Sequence, residues 1–119
     1  MQTYRDLIVW QRSIQLVKAV YKLTDEFPKS EIFGLVSQMR RAAVSIPANL
    51  AEGYSRKHRP EYTQFVRIAF GSGAELETYL VLTRELQFAT KSEVDKVEAT
   101  LSEVMRMLNK LTSSLLAKP

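Results

Sequence analysis

Residues 91–116 read KSEVDKVEATLSEVMRMLNKLTSSLL, and the spacing of their apolar residues indicates the architecture of the whole chain. The apolar positions alternate steps of three and four residues, the pattern of one buried helical face. They are Val94, Val97, Leu101, Val104, Leu108, Leu111 and Leu115. Thr90 and Glu93 have capping-box spacing, in which each side chain bonds the other residue's backbone N–H. We therefore predict a long amphipathic helix over about residues 91–116.

The rest of the chain divides into three further helical segments. Breaks fall at Phe27-Pro28, in the stretch 56–60 and in the stretch 89–92. The predicted helices span about residues 4–25, 30–55, 60–88 and 91–116, and Ile32 and Phe33 follow the apolar spacing of helix two. Short joints make consecutive helices antiparallel neighbours. The sequence therefore predicts an all-α fold, an up-down-up-down four-helix bundle in a single domain over residues 1–119.

Two of the predicted helices contain residues that a regular helix tolerates poorly. Pro47 lacks an N–H and clashes with the preceding turn, so we expect a kink in helix two; two helices broken at Pro47 are the alternative. Gly71 and Gly73 in helix three each cost about 1 kcal/mol relative to Ala. They permit close helix approach, and a flexible break is the competing interpretation. Because the apolar spacing keeps its phase on both sides, we favour one continuous helix.

Helix one carries two apolar stripes. The first contains Leu7, Trp10, Ile14, Val17 and Tyr21, and the second contains Val9, Leu16, Val20 and Leu23. A helix on the surface of a monomeric bundle needs only one apolar stripe. The second side is therefore covered by another subunit, or the helix is packed deeply within its own chain.

The composition excludes several classes of site. The chain has 119 residues with 17 Lys and Arg, 13 Asp and Glu, one His and no Cys. Without Cys there is no disulfide scaffold, thiol nucleophile or zinc–thiolate site, and one His cannot form a multi-histidine metal site. No apolar run reaches the roughly 20 residues that span a bilayer, and the N-terminus lacks a signal-peptide core. We expect a cytoplasmic protein with no cofactor and no membrane partner.

The positive charge is concentrated in one part of the sequence. Between Ser37 and Arg67 there are six basic and two acidic residues, an excess equal to the net charge of +4. Exposed basic side chains attract phosphate backbones and release counterions. We predict that nucleic acid contacts Arg40, Arg41, Arg56, Lys57, Arg59 and Arg67, with His58 as an auxiliary contact. Arg40 and Arg41 lie roughly 22–24 Å earlier along the helix, so they mark a second patch unless a neighbouring subunit links the two. Apart from Tyr54 and Tyr62, few aromatic residues are available there for base stacking. The alternative to nucleic-acid binding is that these basic residues form a solvated joint between helices two and three, with ion pairs to Glu52 and Glu75 within the chain.

A polar stripe runs along the otherwise apolar second helix. Its members are Arg41, Ser45, Asn49, Glu52 and Arg56. Asn49 is placed to bond a carbonyl that loses its donor at Pro47, and Glu52 is placed to pair with Arg56 at i,i+4. We interpret Ser45, Asn49 and Glu52 as a structural polar network, or as part of a subunit interface or ligand site.

Catalytic motifs are absent from the sequence. Ser55 precedes His58 by three residues, so the Glu-x-x-His motif of di-iron bundles is missing. Gly71-Ser72-Gly73 lacks the preceding strand of a nucleophile elbow, which makes Ser72 a small packing residue. No phosphate-binding glycine loop occurs. We predict no catalytic residue, no metal site and no enzymatic activity.

Several runs together point to a known family. They are Phe27-Pro28, Glu31-Ile32-Phe33-Gly34-Leu35, the stretch 38–47 (QMRRAAVSIP), Asn49-Leu50-Ala51-Glu52-Gly53, Gly71-Ser72 and Glu75-Leu76-Glu77. They resemble the 23S rRNA intervening-sequence protein family of bacteria. The resemblance implies a four-helix bundle that assembles as a homopentamer.

The resemblance also implies binding rather than catalysis. A similar protein, the accessory variability determinant of diversity-generating retroelements, forms a basic pentameric barrel that binds nucleic acid and a reverse transcriptase. We therefore expect a non-catalytic protein that binds RNA or DNA through backbone phosphates with weak sequence selectivity. The alternative is a protein-interaction adaptor, for example for a reverse transcriptase or another nucleic-acid enzyme.

Overall fold

The computed structural model describes residues 2–117, whose regular secondary structure is entirely helical. The long helices are α1 (Ile8–Thr24), α2 (Leu35–Ser55), α3 (Arg59–Glu85) and α4 (Lys91–Leu116), with single 3₁₀ turns at Tyr4–Asp6 and Lys29–Glu31. They form a bundle of 49 × 22 × 20 Å. The predicted all-α four-helix fold is confirmed.

Each helix packs against two of the others. α1 and α3 both contact α2 and α4. At one end of the bundle, Arg59 at the start of α3 bonds the carbonyl of Leu115 at the end of α4. At the other end, Arg84 near the end of α3 bonds Asp95 near the start of α4. α3 and α4 therefore run in opposite directions, and their ends meet at both ends of the bundle.

The N-terminal ends of the first two helices lie later than the sequence predicts. A 3₁₀ turn occupies Tyr4–Asp6, and Leu7 is extended, so α1 begins at Ile8 rather than at about residue 4. A second 3₁₀ turn follows Pro28, and Gly34 adopts φ −106° and ψ −114°, so α2 begins at Leu35 rather than at about residue 30. Ile32 and Phe33 consequently lie outside the helix and are exposed.

The last two helices follow the sequence more closely. α3 ends at Glu85, three residues early, and Gln87 beyond it has a left-handed backbone with φ of +59°. α4 spans the predicted residues, and both hydrogen bonds of the Thr90–Glu93 capping box are present. The heptad pattern and its cap therefore give this helix correctly at both ends.

Neither Pro47 nor the two glycines interrupts a helix. α2 continues through Pro47, so the alternative of two separate helices is wrong, while the kink stays a prediction. α3 is likewise continuous through Gly71 and Gly73, as favoured. A Cβ at Gly73 would overlap Met105 Sδ of α4, whereas a Cβ at Gly71 would have no neighbour within 4 Å. The close approach of α3 and α4 therefore accounts for a glycine at position 73, but it does not account for one at position 71.

The two stripes of α1 have different surroundings. Val9, Leu16, Val20 and Leu23 of the second stripe are buried in the core. Trp10, Ile14 and Val17 of the first stripe are half-buried and Tyr21 is 41% exposed. Each fully buried Leu or Val contributes roughly 1.5–3 kcal/mol of transfer free energy. Most of the first stripe is thus left partly uncovered within the single chain.

Hydropathy along the helices does not match a membrane span. Among residues 2–117, no helix combines the length and the apolar character needed to cross a bilayer.

Candidate nucleic-acid interface

The joint between α2 and α3 presents basic side chains at one end of the bundle. α2 ends at Ser55 and α3 begins at Arg59. Lys57 has a left-handed backbone with φ of +56°, and His58 returns to extended geometry, which reverses the chain sharply. The basic side chains here are exposed, as is that of Arg67 two turns further along α3. We call this group the basic end; it consists of Arg56, Lys57, His58, Arg59 and Arg67.

Two members of the basic end are paired with carboxylates. Arg56 Nε lies 3.4 Å from Glu52 Oε2, and Arg56 Nη1 lies 3.7 Å from Glu61 Oε2. His58 Nδ1 lies 3.4 Å from Glu61 Oε1. The i,i+4 pair of Glu52 with Arg56 is thus confirmed. The charge of Arg56 is largely compensated within the chain, as the solvated-joint interpretation expects, although Glu61 rather than Glu75 is the second partner.

Arg59 is anchored to the end of α4. Its Nε donates to the carbonyl of Leu115 at 2.7 Å, and its Nη2 donates to the carbonyl of Ser114 at 3.0 Å. The last carbonyls of a helix have no donor within the helix, and a cation is favourable at its negative end. Arg59 therefore joins α3 to α4 and holds its positive charge in a fixed place.

Lys57 and Arg67 differ from the other basic residues here. Within residues 2–117, neither has an ion-pair partner. In the same part of the chain, neither side chain is bonded to backbone carbonyls, as Arg59 is. Arg67 borders a depression of about 310 Å³ that it shares with Arg59, Thr63 and Leu115. Both charges are therefore open to an anion arriving from solvent.

A cleft of about 490 Å³ lies at the basic end, bordered by Lys57, His58 and Arg59. Tyr54 and Tyr62 also line it, with ring centroids 5.9 Å apart and planes at 87°. Burial, and to a lesser extent the neighbouring Tyr54, raises the pKa of the Tyr62 hydroxyl. Sequence reasoning noted both tyrosines but missed that they meet beside the cations. Their separation of eight residues across the joint was the available signal.

The structure does not bring Arg40 and Arg41 to the basic end. Arg40 Nε donates to Thr24 Oγ1 at 2.9 Å and its Nη2 donates to Asp25 Oδ1 at 3.0 Å, so Arg40 is held by the end of α1. Its guanidinium also lies over the ring of Tyr21, 4.4 Å from the centroid. Arg41 is exposed, but at 1.5 Å per residue it lies about 22 Å along α2 from Arg56. The seven predicted contacts therefore form more than one surface.

The predicted polar stripe contains a hydrogen-bonded network between α2 and α3. Asn49 Nδ2 donates to the Ser45 carbonyl at 2.8 Å and to Ser45 Oγ at 2.9 Å, and Ser72 Oγ donates to Ser45 Oγ at 2.8 Å. Asn49 does not reach the carbonyl of Ala43, which is the one that Pro47 leaves without its donor. Glu52 belongs to the separate pair with Arg56.

The side chains considered for catalysis have structural partners. Ser72 is buried against α2 with its hydroxyl bonded to Ser45, and His58 faces Glu61. Across residues 2–117, no group of three or more His, Asp or Glu side chains is arranged to hold a metal ion.

A groove with several apolar side chains lies beside the first half of α2, and sequence reasoning did not find it. It has a volume of about 610 Å³, and we call it the apolar groove after its five apolar and aromatic residues, Tyr21, Ile32, Phe33, Val36 and Val44. The rest of its lining is polar and consists of Ser37, Arg40, Arg41 and Ser45. Phe33 is 94% exposed and Ile32 is 55% exposed. Both follow the apolar spacing of the predicted second helix, but they are exposed because α2 begins only after the turn at Gly34.

Comparisons with known proteins agree with this architecture. The family model for 23S rRNA-intervening sequence protein matches residues 5–110. No curated protein matches the chain. A solved structure from Bacteroides thetaiotaomicron VPI-5482, described as a protein with unknown function from the S23 ribosomal protein family, superposes with a TM-score of 0.79 at 20% identity. The match covers 88% of this chain and 98% of that chain, and at this identity it shows the fold alone. Because the family model covers most of the sequence, the chain belongs to the 23S rRNA-intervening sequence protein family.

Proposed function

We propose that this protein binds RNA or DNA through backbone phosphates at the basic end, with weak sequence selectivity and without catalysis. The observation that carries the proposal is the presence of three exposed cations, Lys57, Arg59 and Arg67, around one end of the bundle. Lys57 and Arg67 have no ion-pair partner within residues 2–117, and Arg59 is held in place by carbonyls. Phosphate contacts of this kind position nucleic acid without reading its bases.

The test is a titration with labelled RNA and random duplex DNA at several salt concentrations. In the double variant Lys57→Gly, Arg67→Gln, we expect lower affinity for both ligands. The slope of log K against log salt should also become shallower, by about 0.7–0.9 for each phosphate that the protein no longer neutralises.

A matched control removes the same charge elsewhere. Lys18 and Lys29 are exposed lysines outside the basic end. The variant Lys18→Gln, Lys29→Gln should retain most of the affinity and the original salt slope. Equal losses of affinity in the two double variants would show that net charge, rather than the basic end, controls binding. No binding by the unmodified protein would contradict the proposal.

We further propose that the protein works as a homo-oligomer in the cytoplasm of a bacterium. The apolar groove supports self-association, since exposed aromatic and aliphatic side chains in one patch are typical of protein interfaces. The family resemblance implies a pentamer. In a ring, each subunit contributes one basic end, so the charge facing a nucleic acid is multiplied.

The same groove also favours the second candidate function, a protein-interaction adaptor. An oligomer whose groove remains open, and which binds neither nucleic acid, would favour a partner such as a reverse transcriptase or another nucleic-acid enzyme. Light scattering of the free protein, followed by titration with nucleic acid, separates these two functions.

A further inference from the structure

The cleft at the basic end combines aromatic rings with cations. Tyr54 lies in the last turn of α2 and Tyr62 in the first turn of α3. Both rings are half-buried, with part of each packed on the core and part bordering the cleft. The cleft volume of about 490 Å³ lies within the range of roughly 300–1,000 Å³ that is common for small-molecule sites. It is therefore large enough for one nucleotide.

The two tyrosine hydroxyls are available for new hydrogen bonds. Within residues 2–117, neither the Tyr54 nor the Tyr62 hydroxyl bonds another protein group, whereas the Tyr79 hydroxyl lies 3.4 Å from Gln38 Oε1. No side-chain polar atom in this part of the chain is both buried and unpaired. Neither hydroxyl is therefore completely buried, and each can donate to or accept from the polar edge of a ligand in the cleft.

The cations that border the cleft suit a phosphate group. Lys57 provides an exposed ammonium with no partner among the described residues. Arg59 provides a guanidinium already ordered by two carbonyls, with further N–H donors remaining. Because its geometry is fixed before binding, ordering Arg59 adds little to the entropic cost of binding.

On the basis of the proposed function, we infer that this cleft binds an unpaired nucleotide of single-stranded RNA or DNA. The base contacts the rings of Tyr54 and Tyr62, and an adjacent phosphate contacts Lys57 and Arg59. In a duplex, each base is covered on both faces by its neighbours, so a ring in a cleft reaches a base only where the strand is unpaired. The protein therefore prefers single strands and tailed duplexes to blunt duplexes.

Photocrosslinking tests this inference on the unmodified protein. Two RNA hairpins share one stem, and in both the loop is replaced by an ethylene-glycol linker that carries no bases. Only one of them has a short single-stranded tail, which contains 5-bromouracil and supplies the only unpaired bases. A DNA pair of the same design is run in parallel. Under ultraviolet light, the tail should crosslink to Tyr54 or Tyr62, as mapped by mass spectrometry. Crosslinks confined to other residues would overturn the inference. The RNA and DNA pairs show which sugar the cleft accepts.

Affinity measurements supply the second arm. Tyr54→Leu should weaken binding of the tailed hairpin by about 5- to 150-fold, the range found for base–aromatic stacking, and leave the blunt hairpin unchanged. The control is Tyr79→Leu, because Tyr79 is also half-buried but lies outside the cleft. If tailed and blunt hairpins bind equally and both depend on Lys57, the cleft inference is wrong and the proposed function stands. If neither hairpin binds, the cleft inference and the proposed function are both wrong.

Discussion

Lys57 has an unfavourable backbone conformation and an exposed charge. Its φ of +56° lies in the left-handed region, which costs a residue with a Cβ roughly 1 kcal/mol relative to glycine. Lys57→Gly removes this cost together with the charge. We expect the free energy of unfolding, measured with urea, to rise by about 0.5–1 kcal/mol. Nucleic-acid affinity should fall in the same variant, and a loss of folding cannot then explain the weaker binding.

Gln87 provides a control with the same backbone geometry. Its φ is +59°, and it follows the end of α3 at the opposite end of the bundle from the basic end. Gln87→Gly should give a similar gain in stability with unchanged affinity. An unchanged affinity in Lys57→Gly as well would show that the Lys57 charge does not contact phosphate.

Arg40 is expected to stabilise the fold rather than to bind nucleic acid. It bonds Thr24 and Asp25 and covers the ring of Tyr21. Arg40→Gln should lower the free energy of unfolding by about 1–2 kcal/mol, the usual range for charge-assisted hydrogen bonds and cation–π contact. Affinity for nucleic acid, measured well below the melting temperature, should stay the same. A clear loss of affinity with no loss of stability would show that Arg40 contacts nucleic acid.

At the scale of the element, three helical glycines have different neighbours. A Cβ at Gly71 meets nothing within 4 Å, whereas a Cβ at Gly53 would lie 2.7 Å from Phe65 Cβ. Gly71→Ala should therefore raise the free energy of unfolding by about 0.5–1 kcal/mol through the better helix propensity of Ala. Gly53→Ala should lower it by about 1–3 kcal/mol because α2 and α3 must separate.

Thermal unfolding of both glycine variants checks this prediction. Gly73→Ala is the intermediate case, since the overlapping atom belongs to the flexible side chain of Met105. A destabilising Gly71→Ala would show that a further contact covers this face of α3, as in an assembly.

The end of α3 and the start of α4 are joined by an ion-pair cluster. Arg84 contacts Asp95 and Glu98, and Lys91 Nζ lies 3.0 Å from Asp95 Oδ2. Hydrogen bonds from Lys91 and Arg84 lower the pKa of Asp95 below its ordinary value. A carboxylate with a lowered pKa in the folded state stabilises the fold above its unfolded pKa and loses that contribution as the pH falls.

Asp95→Asn should therefore reduce the dependence of stability on pH in the acid range. Relative to the unmodified protein, the variant should be less stable at pH 7 and should lose less stability between about pH 5 and pH 2. Urea unfolding at a series of pH values measures both effects. Parallel acid profiles for the two proteins would show that the pairs of Asp95 contribute nothing to stability.

The helices were largely predictable because their signals are local. The heptad pattern and capping box of α4 require only neighbouring residues, and they give both ends correctly. The start of α2 was not predictable, because Ile32 and Phe33 continue the helical spacing while Gly34 and the 3₁₀ turn after Pro28 break the backbone. Periodicity reports which positions are apolar, and it does not report whether the backbone between them is helical.

The candidate site was predictable only as a set of charges. The sequence shows the cluster at the joint, and the structure then separates Lys57 and Arg67 from Arg56, whose charge is compensated by Glu52 and Glu61. The anchoring of Arg59 by α4 depends on a contact between residues 55 or more positions apart. Local patterns carry no information on such distant partners.

At the scale of the whole molecule, the basic end and the apolar groove occupy different places. The groove lies between the end of α1 and the first half of α2, beside Arg40 and Arg41. The basic end begins at Arg56, about 17 Å along α2 from Ser45 at the nearer edge of the groove. The residues that line the groove and those of the basic end are different. Self-association through the groove and nucleic-acid binding at the basic end therefore use different side chains.

The assembly prediction depends most directly on Phe33. Because its side chain is 94% exposed in the single chain, Phe33→Ser should leave the folded subunit intact. In an assembly that covers the groove, it removes roughly 1.5–3 kcal/mol of burial at every interface. Light scattering should then show the mass falling from that of an oligomer towards the 13.6 kDa of one chain.

Val81→Ser is the matched control, because Val81 is 50% exposed on α3 and lies outside the groove. It should keep the mass of the unmodified protein, and the same mass in Phe33→Ser would show that another surface drives assembly.

The dissociated variant should also bind nucleic acid more weakly and with a shallower salt slope, since each free subunit presents one basic end rather than a ring of them. A lower mass with undiminished affinity would instead mean that a single basic end is sufficient for binding.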